Sequence, residues 1–233
     1  MKRALILICT LAIILGLCSC TVSCDVQGKT MVDGVELDYE NNTEVLQSYN
    51  IGHMEIDVGS GDVAVNGVSD AQVNLKVSYR EYEPGDARIL FKNGKLSYET
   101  KSGKPALITG VTGTIPQNIA LSIDTGSGNV AVSDMRENKE LELDTGSGKV
   151  VVSNCMISVF DADTGSGDVH ILDSSITDFK ADTGSGEINI VNSRIKDAEI
   201  ETGSGDIRLT DSEILTRRFE IGFGEVIEHS PSD

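Results

Sequence analysis

The stretch LSIDTGSGNVAV, residues 121–132, is followed by LELDTGSGKVVV (141–152), FDADTGSGDVHI (160–171), FKADTGSGEINI (179–190), AEIETGSGDIRL (198–209) and RRFEIGFGEVIE (217–228). The first glycines, Gly126, Gly146, Gly165, Gly184, Gly203 and Gly222, are spaced by 20 residues and then by 19 four times. A fixed period of roughly 20 to 50 residues marks one structural unit stacked on itself. Within a unit, apolar residues stand five and three positions before the first glycine and four and six after it. A further isoleucine stands eleven after it at Ile157, Ile176, Ile195 and Ile214. Alternation with period two on both sides of a Gly-Ser-Gly break predicts two short strands joined by a turn. The expected fold is all-β: a single-domain parallel β-solenoid (β-helix or β-roll) of about 19 residues per coil.

The two slots before the glycine exchange volume. Phe160 accompanies Ala162 and Phe179 accompanies Ala181, whereas Ala198 accompanies Ile200 and Leu141 accompanies Leu143. Such compensation is expected where both side chains fill one closed interior at solid-like density. A lone coil buries too little to offset the entropy of ordering it, so stability must come from stacking, with inter-strand hydrogen bonds at about 4.8 Å. The turn glycines Gly126, Gly128, Gly146, Gly148, Gly165, Gly167, Gly184, Gly186, Gly203 and Gly205 are expected to supply positive φ. The acids two positions before the first glycine of each turn, Asp124, Asp144, Asp163, Asp182, Glu201 and Glu220, are expected to accept hydrogen bonds from turn amides.

Further upstream, His53 to Val65 (HMEIDVGSGDVAV) matches the later phrase slot for slot and announces a first coil. The repeat is then lost for three and a half periods, although Val73, Leu75 and Val77 still alternate and Asn93-Gly94 signals a turn. This interval reads as irregular coils or hairpins continuous with the array, within one domain over 49–229 followed by a tail over 230–233. At the far end Arg217 takes an inward slot and Phe223 replaces the turn serine. Atypical end repeats of this kind close an edge that would otherwise recruit another chain.

Residues 1–19 read as a lipoprotein signal peptide, with Lys2 and Arg3 ahead of a 14-residue apolar run, Ala4 to Leu17. Leu17-Cys18-Ser19-Cys20 resembles the bacterial lipobox, which makes Cys20 the expected lipidation site, palmitate being a typical acyl group, with Cys24 second. Residues 20–48 are polar and read as the lipidated N-terminus and a tether. The mature chain is then extracytoplasmic, held in the cell envelope by a lipid anchor in the cell membrane or outer membrane. Loss of Lys2 and Arg3 takes the formal net charge from −18 to −20. So acidic a chain argues against nucleic acid as a partner. Cys155 fills a slot held elsewhere by Ser174, Ser193 and Ser212 and reads as a packed thiol. A disulfide with Cys24 is supported by no spacing rule.

Four copies of DTGS invite comparison with pepsin-like aspartic proteases, which need two carboxylates meeting face to face. In a solenoid these acids form one column, so no catalytic residue is assigned and the chain is not expected to be an enzyme. Calcium is the better rival. The residue after the second glycine is Asn129, Lys149, Asp168, Glu187 or Asp206, and a lysine cannot ligate a cation. Asp124, Asp144, Asp163, Asp182 and Glu201 therefore remain weak candidates for non-obligatory cation binding, with no cofactor required.

The lipobox, the early coil Ile56-Asp57-Val58-Gly59-Ser60-Gly61-Asp62-Val63, Ile115-Pro116 leading into Leu121 to Gly128, and the TGSG coils together resemble the bacterial "putative adhesin" family of β-strand-repeat proteins, DUF4097. The likeness runs roughly from Gly52 to Glu228. It implies a surface-anchored adhesive or binding module for extended ligands such as a glycan, a wall polymer or an envelope protein, and it carries no catalytic motif across. Some related proteins accompany envelope-stress systems, which implies the alternative of an accessory lipoprotein in cell-envelope stress response or assembly.

Overall fold

The computed structural model describes residues 22–24, 30–47 and 51–229, and every regular element among them is a strand. Strands β1 (Val22–Cys24), β2 (Thr30–Val32) and β3 (Val35–Glu36) form a small antiparallel sheet, its β2–β3 turn at Asp33-Gly34 held in the left-handed region by φ of 49° and 77°. Next comes β4 (Tyr39–Gln47), and then the first coil, β5 (His53–Val58) with β6 (Asp62–Val68). The non-repetitive interval forms β7 (Val73–Glu81), the hairpin β8 (Ala87–Lys92) and β9 (Lys95–Thr100), and β10 (Leu107–Pro116).

The array follows as successive pairs. They are β11 (Ala120–Thr125) with β12 (Val130–Ser133), β13 (Asn138–Thr145) with β14 (Val150–Ser153), β15 (Met156–Thr164) with β16 (Val169–Leu172), β17 (Ser175–Thr183) with β18 (Ile188–Val191), β19 (Arg194–Thr202) with β20 (Ile207–Thr210), and β21 (Glu213–Ile221) with β22 (Val226–His229). First strands of each pair line up in one sheet and second strands in another. The nine-stranded sheet runs β21-β19-β17-β15-β13-β11-β5-β9-β8, and the ten-stranded sheet runs β22-β20-β18-β16-β14-β12-β6-β10-β7-β4. Coil n pairs with coil n+1 in parallel and without slippage. Leu121 lies beside Leu141, then Phe160, Phe179 and Ala198, because only this register keeps every apolar slot inside.

The two apolar slots on each side of the glycine line one continuous core. Phe160 and Phe179 stack with ring centroids 5.2 Å apart and planes at 28°, while Ala162 and Ala181 beside them are fully buried. The volume exchange along the sequence is therefore an exchange inside one interior. In the long strands alternation slips at one place: two exposed residues, Ser158 and Val159, separate buried Ile157 from buried Phe160, and the pairing passes over Ser158. This change of facing is what turns Ile157, Ile176 and Ile195 into the same core.

The first coil does not begin the stack. The antiparallel part covers it, with β10 parallel to β6 and antiparallel to β7, and β4 antiparallel to β7 over nine positions from Tyr39–Glu81 to Gln47–Val73. Tyr39–Gln47 is thus an edge strand and not a tether. Its composition is polar because an edge strand with one solvated face has little to bury, and Val45 is its one buried residue. Val32 and Leu37, also assigned to the tether, pack with Leu107 in a small core of their own. The signal peptide, Cys20 and the tail over 230–233 lie outside the described residues.

Candidate functional site

The solenoid presents three repeating columns, and the Gly-Ser-Gly arc explains how they are held. None of the arc glycines from Gly126 to Gly205 has positive φ, contrary to expectation. Their requirement is space. A Cβ on Gly148 would lie 1.7 Å from the Gly128 carbonyl oxygen, and one on Gly167 equally close to that of Gly148, because each arc rests directly on the one before. The preceding acid does not cap the arc either. Threonine does: Thr145 Oγ1 accepts from the Gly148 amide (3.0 Å) and donates to the Gly128 carbonyl (3.1 Å), and Thr125, Thr183 and Thr202 repeat both contacts. These threonines are buried, so each hydroxyl replaces hydration that the arc has lost.

Freed from capping, the acids project from the nine-stranded sheet as an unbroken column. Asp57 pairs with Asp124, then Asp144, Asp163, Asp182, Glu201 and Glu220. Dehydration between stacked coils, followed by the neighbouring Asp144, Asp57 and Glu142, pushes the Asp124 carboxyl up to about 6. Dehydration and then the next acid along raise Asp144 and Asp163 as well. A shallow recess of about 70 Å³ lies among Glu142, Leu143, Asp144, Asp161 and Asp163. The five candidate cation ligands are thereby aligned but do not converge. Among the described residues no three or more His, Cys, Asp or Glu side chains are placed to hold a metal ion. Calcium needs six to eight oxygens at 2.3–2.6 Å, whereas this column offers one carboxylate per coil. The acids of the DTGS phrases do not face one another either: Asp144 and Asp182 are separated by Asp163 in the same column.

The column has a consequence for stability. A carboxyl whose folded pKa of about 6 exceeds the unfolded 3.8 stabilises fully below pH 3.8, and that contribution is lost as pH rises through 6. Asp86 and Asp197 have the opposite shift, each lowered chiefly by a side-chain hydrogen bond, from Ser102 and Lys196 respectively, and they withdraw stability in acid. The melting temperature should therefore rise as pH falls from 7.5 to about 5 and decline again below about 4. Asp124 is exposed, so water screens much of the repulsion and added salt should narrow the difference. Melts across pH at low and high salt check this, and a melting temperature that falls steadily from pH 7.5 to 5 would contradict it.

The other corner of each coil carries the second and third columns. Asp134, Asn154, Asp173, Asn192 and Asp211 stand in the left-handed region with φ between 48° and 58°. They alternate acid and amide, so that Asn154 Nδ2 donates to Asp134 and Asn192 Nδ2 to Asp173. Beneath them run Cys155, Ser174, Ser193 and Ser212. The Ser174 hydroxyl accepts from the Cys155 amide (3.1 Å) and donates to the Leu172 carbonyl (2.7 Å), and Ser193 does the same one coil on. Cys155 is buried and free, its thiol pushed up by burial and its Sγ 3.1 Å from the Ser153 carbonyl oxygen, as a packed thiol should be. Asp173, Asn192 and Asp211 of the ridge, Cys155 and the serines beneath it, and the outer column Met156, Ser175, Arg194 and Glu213 border an open groove of about 580 Å³ along the coils. The serine spacing was legible in the sequence, but the left-handed Asx ridge that walls the groove was not read there.

A parallel solenoid with one covered end and ladders of identical polar groups on its faces is a repeat scaffold of the extended-surface kind. The chain belongs to the Toastrack DUF4097 family, whose model matches residues 51–218. Solved structures similar to it include a "putative adhesin" from Parabacteroides distasonis (15% identity, TM-score 0.47, covering 82% of this chain and 97% of that one). A "putative lipid binding protein" from the same species is also similar (15%, 0.44, 82% and 95%), as is a "putative adhesin" from Bacteroides fragilis (12%, 0.42, 81% and 97%). No curated protein matches the sequence.

Proposed function

We propose that the protein is a non-catalytic extracytoplasmic lipoprotein, anchored through Cys20, whose solenoid is an adhesive or binding module for an extended envelope or surface polymer. The observation that supports this reading is the in-register repetition: along the groove the hydroxyls of Ser174, Ser193 and Ser212 recur at successive coils, about 4.8 Å apart, beside the alternating carboxylates and amide of Asp173, Asn192 and Asp211. A ligand that itself repeats can make the same contact several times there, so weak single contacts add through effective concentration. The DTGS acids contribute charge to the outer face and no paired acid and base.

Deleting the gene should reduce attachment of whole cells to glycan- or matrix-coated surfaces, and restoring it should recover attachment. Unchanged attachment with altered resistance to wall-active agents would instead favour an accessory role in envelope stress. Anchoring is tested separately by mass spectrometry of the amino-terminal peptide. Cys20→Ala should release the protein from membranes, and release by Cys24→Ala alone would move the lipid to that residue.

A further inference from the structure

The last coil departs from the pattern of the others. Two of its four inward slots hold Arg217 and Glu228, which form an ion pair across the end of the core, while Phe219 still packs against it. Two outward slots that are polar in the four preceding coils become apolar. Leu215 stands where Ser158, Thr177 and Lys196 stand, and Phe223 stands where each other arc has serine. Leu215 is 62% and Phe223 81% exposed. Both belong to the coil whose strands, β21 and β22, end their sheets, whereas the opposite ends carry the antiparallel β8 and β4. The atypical last coil thus does not close the edge as its sequence suggested: a sheet edge with free backbone donors and acceptors, flanked by exposed apolar side chains, is a template for another strand.

We propose that this free end is a self-association surface, on which two copies of the chain stack coil to coil about a twofold axis, with β21 antiparallel to its own copy and centred on Phe219. The register follows from the residues. An isologous antiparallel pair centred on Phe219 sets Arg218 opposite Glu220 of the second copy and Leu215 opposite Phe223, and the symmetry makes each contact twice. Both the charge match and the apolar match select the same centre. Arg218 and Glu220 already meet within one chain with a 2.6 Å contact on the outer face, so the second copy extends an existing ladder into a network of four charges. The same axis sets β22 against its copy on the other sheet. Parallel head-to-tail growth is not available, because the covered end presents β4 and β8 in place of a matching coil.

The geometry also gives the pair a direction. The strands around Val32 and Leu37 pack at the covered end, through Leu107, so in an end-to-end pair these strands of the two copies lie at opposite ends. If the anchoring proposed above holds, such a pair joins two facing membranes and does not assemble within one, which would make adhesion homophilic. The surface itself does not depend on the anchor.

Sedimentation equilibrium of the full chain in mild detergent tests the surface directly. The wild type should be a dimer. Leu215→Ser with Phe223→Ser should weaken the dimer roughly tenfold or more, as should Arg218→Glu, and the exchange Arg218→Glu with Glu220→Arg should recover it while circular dichroism stays unchanged. A wild type that is monomeric at the highest concentration reached, one that polymerises, or a dimer indifferent to the Leu215 and Phe223 substitutions overturns the proposal. Mixing labelled cells then separates the readings. Wild-type cells that adhere to polymer but not to each other leave the binding module standing and remove the homophilic pair.

Discussion

Gly186→Ala should cost the protein about 4 kcal/mol or more, enough to unfold the array at room temperature if its stability is typical. A Cβ at this position would lie 1.8 Å from the carbonyl oxygen of Gly167 and 2.5 Å from its carbon. Those obstacles are backbone and cannot rotate aside. The two arcs would have to separate, which stretches the parallel ladder on both sides and breaks the hydrogen bonds of Thr183 Oγ1 to the Gly186 amide (2.9 Å) and the Gly167 carbonyl (3.2 Å). Ser185→Ala, one residue away and exposed, is the control and should stay within about 0.5 kcal/mol of wild type. Urea unfolding followed by circular dichroism measures both. A Gly186→Ala loss below about 1 kcal/mol would mean that the arcs do not touch.

The second large effect lies in the core. Phe160→Ala should destabilise by about 3–5 kcal/mol, the range for truncating a fully buried aromatic ring. The ring is 0% exposed and stacks on Phe179, so truncation leaves a cavity bounded above and below by coils whose spacing the backbone ladder sets. Partial rescue is the more telling half of the experiment. The coil containing Ala198 and Ile200 already uses the opposite assignment of large and small to the same two slots. Phe160→Ala combined with Ala162→Ile should therefore recover at least about 1 kcal/mol relative to Phe160→Ala alone, a coupling expected only for neighbours in one space. If the two substitutions simply add, the slots do not share an interior.

How far the sequence carried the fold is shown by residues such as Asp124, Asp144, Asp163 and Asp182. Their period alone placed them in one column, because a repeat with two inward faces can hide its apolar slots only by stacking in register. The turn glycines show where such reading stops. Glycine is demanded equally by positive φ and by the absence of room for Cβ, and only the adjacent coil distinguishes them. Thr125, Thr145, Thr164, Thr183 and Thr202 carried a usable signal, being the same β-branched hydroxyl before five of the six Gly-Ser-Gly arcs, but the acid beside them drew the capping role. The threonine slot is inward-facing and the acid slot outward-facing, which strict alternation would have shown. β4 was missed for a different reason: an edge strand needs few apolar residues, so its partner β7 and not its composition identifies it. Of the candidate surface, the acidic column was legible and the groove was not, since its wall depends on left-handed backbone at Asp173, Asn192 and Asp211 that local sequence signals only as a turn.

The account stands on coils that stack in parallel register, and nitroxide labels along the acidic column measure that stacking directly. Pairs joining Asp57 to Asp182, Glu201 and Glu220, each replaced by labelled cysteine in a background whose five native cysteines are replaced by serine, should give electron–electron distances that climb by about 4.8 Å per coil, near 19, 24 and 29 Å between backbones. Each of these sites sits one pairing step further from Asp57. An even staircase is the expected result. Distances that fail to increase from Asp182 to Glu220, or that bring Glu220 back towards Asp57, would contradict the stacked solenoid and every reading of its faces that depends on it.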